Sequence, residues 1–524
     1  MGGHGAWVLA TTDPDRALGV VVGAGWTSKE TYGGSNTLFD HDISSTYTEP
    51  ALMGLLRSTV YESDVDRYAS NLAGLPVLVR VGAVDGTVPP YWSRKMSRLL
   101  HDVGVDVKYS ELPGKEHWWW DTDKENDGGV NNDPEVREFI ASAIGGGHGQ
   151  APTVPFELEV SSHNPATQPA ARGIEFLQLH RPFYSPGRVR VVWNCEPSKA
   201  TAWELRTSNV RRLRLYSLSG GWNASCVPAS GLKVDSCELS QQEAVSLIYG
   251  RQHLFASQQA RSGCGWQLSG ADGLDASATL QRWPEAGGPA RQLSSAGPFL
   301  TVVGTGGTPS NASDHLQAAL FIANSHALGY NTFAPMVPDT ELTSEEQIQS
   351  NNLLLMGGVK HNSVTRRWHA KAIAGETSAG TGLALLNKQG GVSLADKRYF
   401  SGPHTGILLV CPHYDAAVAP AATPPDRVTA GSQCTRSASG AAVCTGRHTG
   451  TLGLVIAAVD AGGLADIMAI ATPTVPPMTR VPFFNTVPDL LVSGPLTEAQ
   501  GWGGMQFAAH LDGEWRVRPE ISWP

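Results

Sequence analysis

Apolar positions in the first 146 residues fall into short unbroken runs, separated by stretches with helical spacing. ALGVVV (17–22) is bounded by turn residues and reads as a buried strand. A second run lies in GLPVLVRVGAVDGTVPP (74–90), which ends on a Gly/Pro-rich turn carrying Asp85. SRKMSRLLHDVG (93–104) places Met96, Leu99, Leu100 and Val103 on one helical face. VDVKYSELPGKEHWWW (105–120) reads as a third strand running into a loop that presents His117. Strands alternating with helices predict a mostly parallel α/β sheet.

The pattern then changes twice. Residues 147–172 mix Gly, Pro, Ser and Asn around one alternating run, FELEV, and read as a linker. Within 173–295, RVRVVW (188–193), WELRT (203–207) and VRRLRLYSL (210–218) alternate in period two, which predicts a β-rich module. From 296 to 524 a further α/β region is expected, with buried-strand runs at PFLTVV (298–303), LLLMGG (353–358), ILLVC (407–411) and TLGLVIAAVD (451–460). TSEEQIQ carries a helix-start signal, with Thr343 as the cap and Glu346 three places on.

Composition narrows the partners. A chain of 524 residues needs more than one core, and 41% hydrophobic with 17% charged residues excludes wholesale disorder. Acidic residues outnumber basic ones, 48 to 39, so no electrostatic footprint for nucleic acid is present. The most apolar stretch, 451–471, holds Asp460 and Asp466. Each would cost about 2.5–3.5 kcal/mol at a bilayer centre, so a buried strand followed by a helix is expected and no membrane span.

Seven cysteines occur, at Cys195, Cys226, Cys237, Cys264, Cys411, Cys434 and Cys444. Cys226 with Cys237, and Cys434 with Cys444, bracket small-residue loops suited to local disulfides in an oxidising compartment. The odd count leaves one thiol free or paired outside the chain. The sequons at Asn223 and Asn311 lean toward an extracellular or secretory location, although MGGHGAWVLA lacks the basic and apolar regions of a signal peptide.

Candidate chemistry gathers near the start. Met1-Gly2 fits the last two places of a G-x-S-x-G nucleophile elbow, which puts the serine one residue before Met1. MGGHGA, then VGAVDGTVPP, then GKEHWWWDT resembles, in that order, the carboxyl-terminal half of an α/β hydrolase of the prolyl oligopeptidase family. The likeness covers residues 1 to 146. It implies an incomplete α/β-hydrolase sheet and a Ser, Asp, His triad in which Asp85 is the acid and His117 the general base. Met1 would then offer an oxyanion-hole backbone N–H. The substrate implied is a peptide or an ester, with no cofactor and no metal. The family's Gly-x-Ser and the strands before it are missing, so the chain as written is expected to be inactive. Serine-type peptidase is therefore the first reading, carboxylester hydrolase the second, and a non-catalytic binding or scaffold protein the third.

Other motifs are weaker. Gly304-Thr305-Gly306-Gly307 follows a strand and precedes a helix, a layout that can cradle a phosphate, but a tight turn is the better reading without a full fingerprint. Cys411, His413 and Asp415 in CPHYD have ligand-type side chains without a second cluster. His4 is expected to pack, and Trp118-Trp119-Trp120 to form a hydrophobic shell.

Overall fold

The computed structural model describes residues 2–28, 32, 48–119, 133–145, 157–165, 167–168, 170–192, 203–216, 231–249, 253–256, 264–269, 299–330, 333–370, 385–386, 391–394, 398–412, 434–436, 442–444, 452–471, 487–512 and 515–523. The chain divides into two compact units, the first of residues 1–36 with 57–270 and the second of 37–56 with 271–524. The fold is mixed α/β with parallel sheets.

In the first unit, β1 (Val20–Gly23), β2 (Val77–Gly82) and β3 (Val107–Leu112) form a parallel sheet in that order. Every residue of the central strand β2 is buried, which is why its apolar run is continuous rather than alternating. Helix α1 (Gly2–Thr12) contributes Trp7 and Ala10 to the core under this sheet, and α2 (Pro90–Asp102) contributes Met96 and Leu100. Leu99 is partly buried, whereas Val103 falls outside the expected stripe and is exposed. Val103 sits at the C-cap, where the chain is already leaving the helix. Gly104, with φ +75°, ends it: Gly104 N–H donates to His101 O at 3.0 Å and Val105 N–H to Leu100 O at 2.9 Å. Helix α3 (Pro134–Gly145) follows later.

The rest of the first unit is a pair of five-stranded sheets. One runs β11-β10-β8-β7-β4, made from β4 (Glu157–Ser162), β7 (Gly187–Val192), β8 (Trp203–Ser208), β10 (Leu232–Val234) and β11 (Cys237–Leu239). The other runs β13-β12-β9-β6-β5, made from β5 (Ala170–Ala171), β6 (Ile174–Leu179), β9 (Val210–Leu215), β12 (His253–Ala256) and β13 (Trp266–Ser269). Alternate residues of both sheets, among them Val160, Val189, Val191, Phe176 and Leu213, fill one core that also takes in helix α4 (Gln241–Tyr249). The FELEV run, expected within a linker, is strand β4. Its partner, β7, begins 25 residues further on, beyond the reach of local pattern.

A disulfide joins Cys237, the first residue of β11, to Cys264, just before β13. The expected Cys226–Cys237 pairing is thereby corrected, because contact between edge strands of two sheets selected the partner. Cys226 lies outside the described residues.

The second unit is built on an eight-stranded sheet ordered β15-β14-β16-β23-β20-β24-β25-β26. Its parallel part comprises β14 (Phe299–Val303), β15 (Met336–Pro338), β16 (Asn352–Met356) and β23 (Leu452–Ala458). The remainder, β20 (Gly406–Pro412), β24 (Leu490–Val492), β25 (Phe507–Leu511) and β26 (Val517–Trp523), is antiparallel. Helix α5 (Pro309–Tyr330) joins β14 to β15, α6 (Glu345–Ser350) precedes β16, and α7 (Ala461–Ala471) follows β23. The N-cap of α6 is Ser344, whose hydroxyl accepts from Gln347 N–H, not Thr343 as expected. Thr343 N–H is still bonded to Glu341 O in the preceding turn.

Two small sheets complete the description. One is β17 (Leu385–Leu386), β18 (Val392–Ser393) and β19 (Tyr399–Phe400). The other is β21 (Cys434–Arg436) with β22 (Ala442–Cys444), whose backbone register places Cys434 opposite Cys444. Among the described residues no helix is long and apolar enough to cross a membrane.

Candidate active site

Strand β2 delivers its chain end to a turn whose geometry is set by one carboxylate. Asp85 Oδ1 accepts the backbone N–H groups of Thr87 at 2.9 Å and Val88 at 2.8 Å. This Asx-type turn holds the side chain and leaves Oδ2 for another donor. That donor is His117: Nδ1 lies 2.8 Å from Asp85 Oδ2, with the residues 7% and 3% exposed. A carboxylate oxygen only accepts, so Nδ1 carries the proton and Nε2 is the basic nitrogen of the neutral ring. The Pro89-Pro90 pair then starts α2, since proline suits the first helical turn.

His117 reaches Asp85 because Gly82 lets its loop pass. A Cβ on Gly82 would overlap the carbonyl oxygen of Lys115 and stand 2.7 Å from that of Glu116. Val84 N–H donates to Lys115 O at 3.1 Å and locks the two turns together. Trp118 meets the His117 ring edge-on, with centroids 4.7 Å apart, and is 56% exposed. Trp119 is buried, 5.8 Å from the Arg80 guanidinium. Trp120 lies outside the described residues.

Arg80 is a buried cation in the middle of β2, and burial pushes its pKa down from the usual value. It is compensated by ion pairs with Asp133 and Glu135 and by a 2.8 Å bond to Ser110 Oγ. Asp133 Oδ1 also accepts Glu135 N–H at 2.9 Å and Val136 N–H at 3.3 Å, so one carboxylate caps α3 and ties it to the sheet.

On the side of the expected elbow, Met1 lies outside the described residues. Helix α1 begins at Gly2, which has open space around it. The steric need for glycine falls on Gly3 instead: a Cβ there would overlap Gly23 O and stand 2.7 Å from the Gly25 backbone. His4 packs, stacked on Trp26 at 3.4 Å with Nδ1 3.0 Å from Trp26 O. Trp26 in turn stacks on Tyr32 at 4.9 Å, and the Tyr32 hydroxyl donates to Thr87 O at 3.1 Å. An aromatic column thus connects the start of α1 to the turn that holds Asp85. Sequence reasoning missed Trp26 and Tyr32, for which no local signal exists.

The remaining motifs separate. Four N–H groups of the 304–308 loop bond within the protein: Gly304 to Met356 O, Thr305 to Asp339 Oδ1, Gly306 to His361 O and Thr308 to Asn311 Oδ1. A tight turn is what the loop forms, and these donors are not offered to a phosphate. Cys411 belongs to β20, while His413 and Asp415 lie outside the described residues. Asn311 stands in the first turn of α5, and Asn223 lies outside the described residues.

No family's sequence profile matches the chain. An uncharacterized secreted protein of Arthroderma benhamiae is 30% identical over 224 residues, 41% of this chain. The chain spans only 21% of the length of that relative. Among solved structures, a thermostable esterase is 18% identical, covering 26% of this chain and 28% of its own, with a TM-score of 0.16. The monoacylglycerol lipase of Paleococcus ferrophilus is 19% identical over 27% of this chain and 65% of its own, with a TM-score of 0.19. A puromycin-hydrolyzing peptidase of Mycobacterium tuberculosis is 22% identical over 26% of this chain and 20% of its own, with a TM-score of 0.19.

Proposed function

We propose that the first unit carries the acid and base of a serine hydrolase, a serine-type peptidase of the prolyl oligopeptidase kind. The observation that supports this reading is the buried 2.8 Å bond from His117 Nδ1 to an Asp85 carboxylate whose other oxygen is tied to two backbone N–H groups. A serine hydroxyl directly before Met1 is the nucleophile. His117 Nε2 takes its proton as Oγ attacks the substrate carbonyl carbon, and Asp85 stabilises the imidazolium. The backbone N–H of Met1 donates to the resulting oxyanion. His117 then returns the proton to the leaving amine, and water releases the acyl group by the same route.

The protein works in the secretory pathway or outside the cell on this reading, in keeping with the Cys237–Cys264 disulfide. The test is expression of the full transcript, with its 5′ end sequenced. The reading expects Gly-x-Ser before Met1, fluorophosphonate labelling, and turnover of Xaa-Pro amides in preference to p-nitrophenyl esters. An in-frame stop directly upstream, or turnover indifferent to His117→Ala, overturns it.

A further inference from the structure

In the parallel part of the second unit's sheet, the order in which strands are added reverses between β14 and β16. From β14 the chain passes through α5 to β15 on one side, then returns through α6 to β16 on the other. Loops that leave neighbouring strands in opposite directions open a crevice at the strands' carboxyl ends, the usual place for a ligand in such sheets. Two histidines meet there. His315 comes from α5 and His361 from the turn after β16, with ring centroids 5.4 Å apart at a 55° tilt. They are 6% and 9% exposed.

The glycines of both loops exist to seat these rings. A Cβ on Gly307 would stand 2.7 Å from His361 Cδ2, and one on Gly357 would stand 2.9 Å from His315 Cε1. Both glycines have positive φ, +92° and +104°, so the backbone is bent specifically to pass the imidazoles. His315 Nδ1 donates to Gly304 O at 3.2 Å, because a carbonyl can only accept. That bond fixes the tautomer and turns Nε2 into a lone-pair donor, the arrangement by which proteins orient a ligating histidine. The His361 ring makes no hydrogen bond among the described residues, and its Nε2 lies against Gly307.

We infer that His315 and His361 form a binding site for a divalent d-block cation such as Zn²⁺. Two imidazoles bound to one tetrahedral metal at about 2.0–2.1 Å from nitrogen hold their centroids about 5 Å apart, which matches the spacing seen. Neutral imidazole nitrogen favours zinc, copper or nickel over magnesium or calcium. Asp339, at the end of β15, is not a ligand: Oδ1 accepts Thr305 N–H and Oγ–H at 2.9 and 2.7 Å, and Oδ2 accepts Ser363 N–H at 2.6 Å. Among the described residues no third His, Cys, Asp or Glu joins the pair.

The experiment uses the whole chain, without an affinity tag and stripped by chelator. Calorimetric titration with Zn²⁺ is expected to give a binding event lost at least tenfold in affinity in His315→Ala and in His361→Ala, and unchanged in His404→Ala. Zinc-edge X-ray absorption on the unsubstituted protein at one equivalent avoids any folding defect of the variants. It is expected to count two imidazoles among light-atom neighbours. No binding by the unsubstituted protein, binding that survives both substitutions, or a zinc shell with fewer than two imidazoles overturns the assignment.

Discussion

The carbonyl oxygen of Lys115 occupies the space that a side chain on Gly82 would need. This contact lets the end of β2 and the loop before His117 lie side by side, so the reach from Asp85 to His117 is 2.8 Å. Gly82→Ala is expected to force the two turns apart. Overpacking of this kind costs roughly 1–3 kcal/mol. The measurement is urea denaturation together with the downfield NMR signal of the His117 Nδ1 proton. A variant with unchanged stability and an unchanged signal would show that the contact is slack.

On the proposed serine-hydrolase reading, Asp85→Asn in a chain that carries the nucleophile is expected to keep substrate affinity while lowering kcat by up to about 10⁴, because an amide can hold the wrong tautomer. His117→Ala should leave a residual rate on the order of 10³ over water. The double variant should be little worse than His117→Ala alone, as groups acting in one unit are not additive. Losses that multiply would make Asp85 a turn residue only.

Asn71 binds the β sandwich to the α/β layer. Its amide donates to Ser161 O at 2.9 Å and Thr11 O at 3.1 Å and accepts Ser161 N–H at 2.9 Å, all buried. Asn71→Ala strands these backbone groups, at roughly 1–3 kcal/mol for each one left unpaired. The transition of the first unit in calorimetry should fall to lower temperature. A Tm equal to wild type would mean that water replaces the amide.

The disulfide closes a separation of 27 residues, for which loop entropy gives about 3–4 kcal/mol. Cys264→Ser should destabilise the sandwich by that order. Non-reduced peptide mapping should return Cys237 linked to Cys264, and a Cys226–Cys237 peptide would contradict it.

Burial, and for His361 the neighbouring His315 and Lys360, lowers the pKa of both His315 and His361 from the ordinary 6.5, although Asp314 and Asp339 pull His315 the other way. With folded values below unfolded ones, the unfolded chain binds more protons just below 6.5, so stability there rises with pH. Chelator-treated protein should keep this contribution above about 6.5 and lose it as the pH falls toward the folded values. Denaturant midpoints across pH 5 to 8 measure it, and His361→Asn should flatten the slope. A slope the same in both proteins would locate the titration elsewhere.

Period and turn chemistry determined the elements whose burial is a local matter. The all-apolar β2, the Met96–Leu100 stripe of α2 and the strand-then-helix at 452–471 follow from the side chains in their own windows. The strand-end positions of Asp85 and His117 were legible in the same way, from Gly/Pro-marked loops, whereas the roles proposed for them rest on the family resemblance. Tertiary structure alone decided the rest. Sheet contact chose Cys264 over Cys226, and β7 made a strand of the FELEV run. Close backbone approach picked Gly3 over Gly2. His315 and His361 come from separate loops, and only the crossing of strand order at β14 and β16 brings their rings together. A sequence window records what each residue tends to bury, whereas a partner distant in the chain is selected by how whole sheets and helices pack.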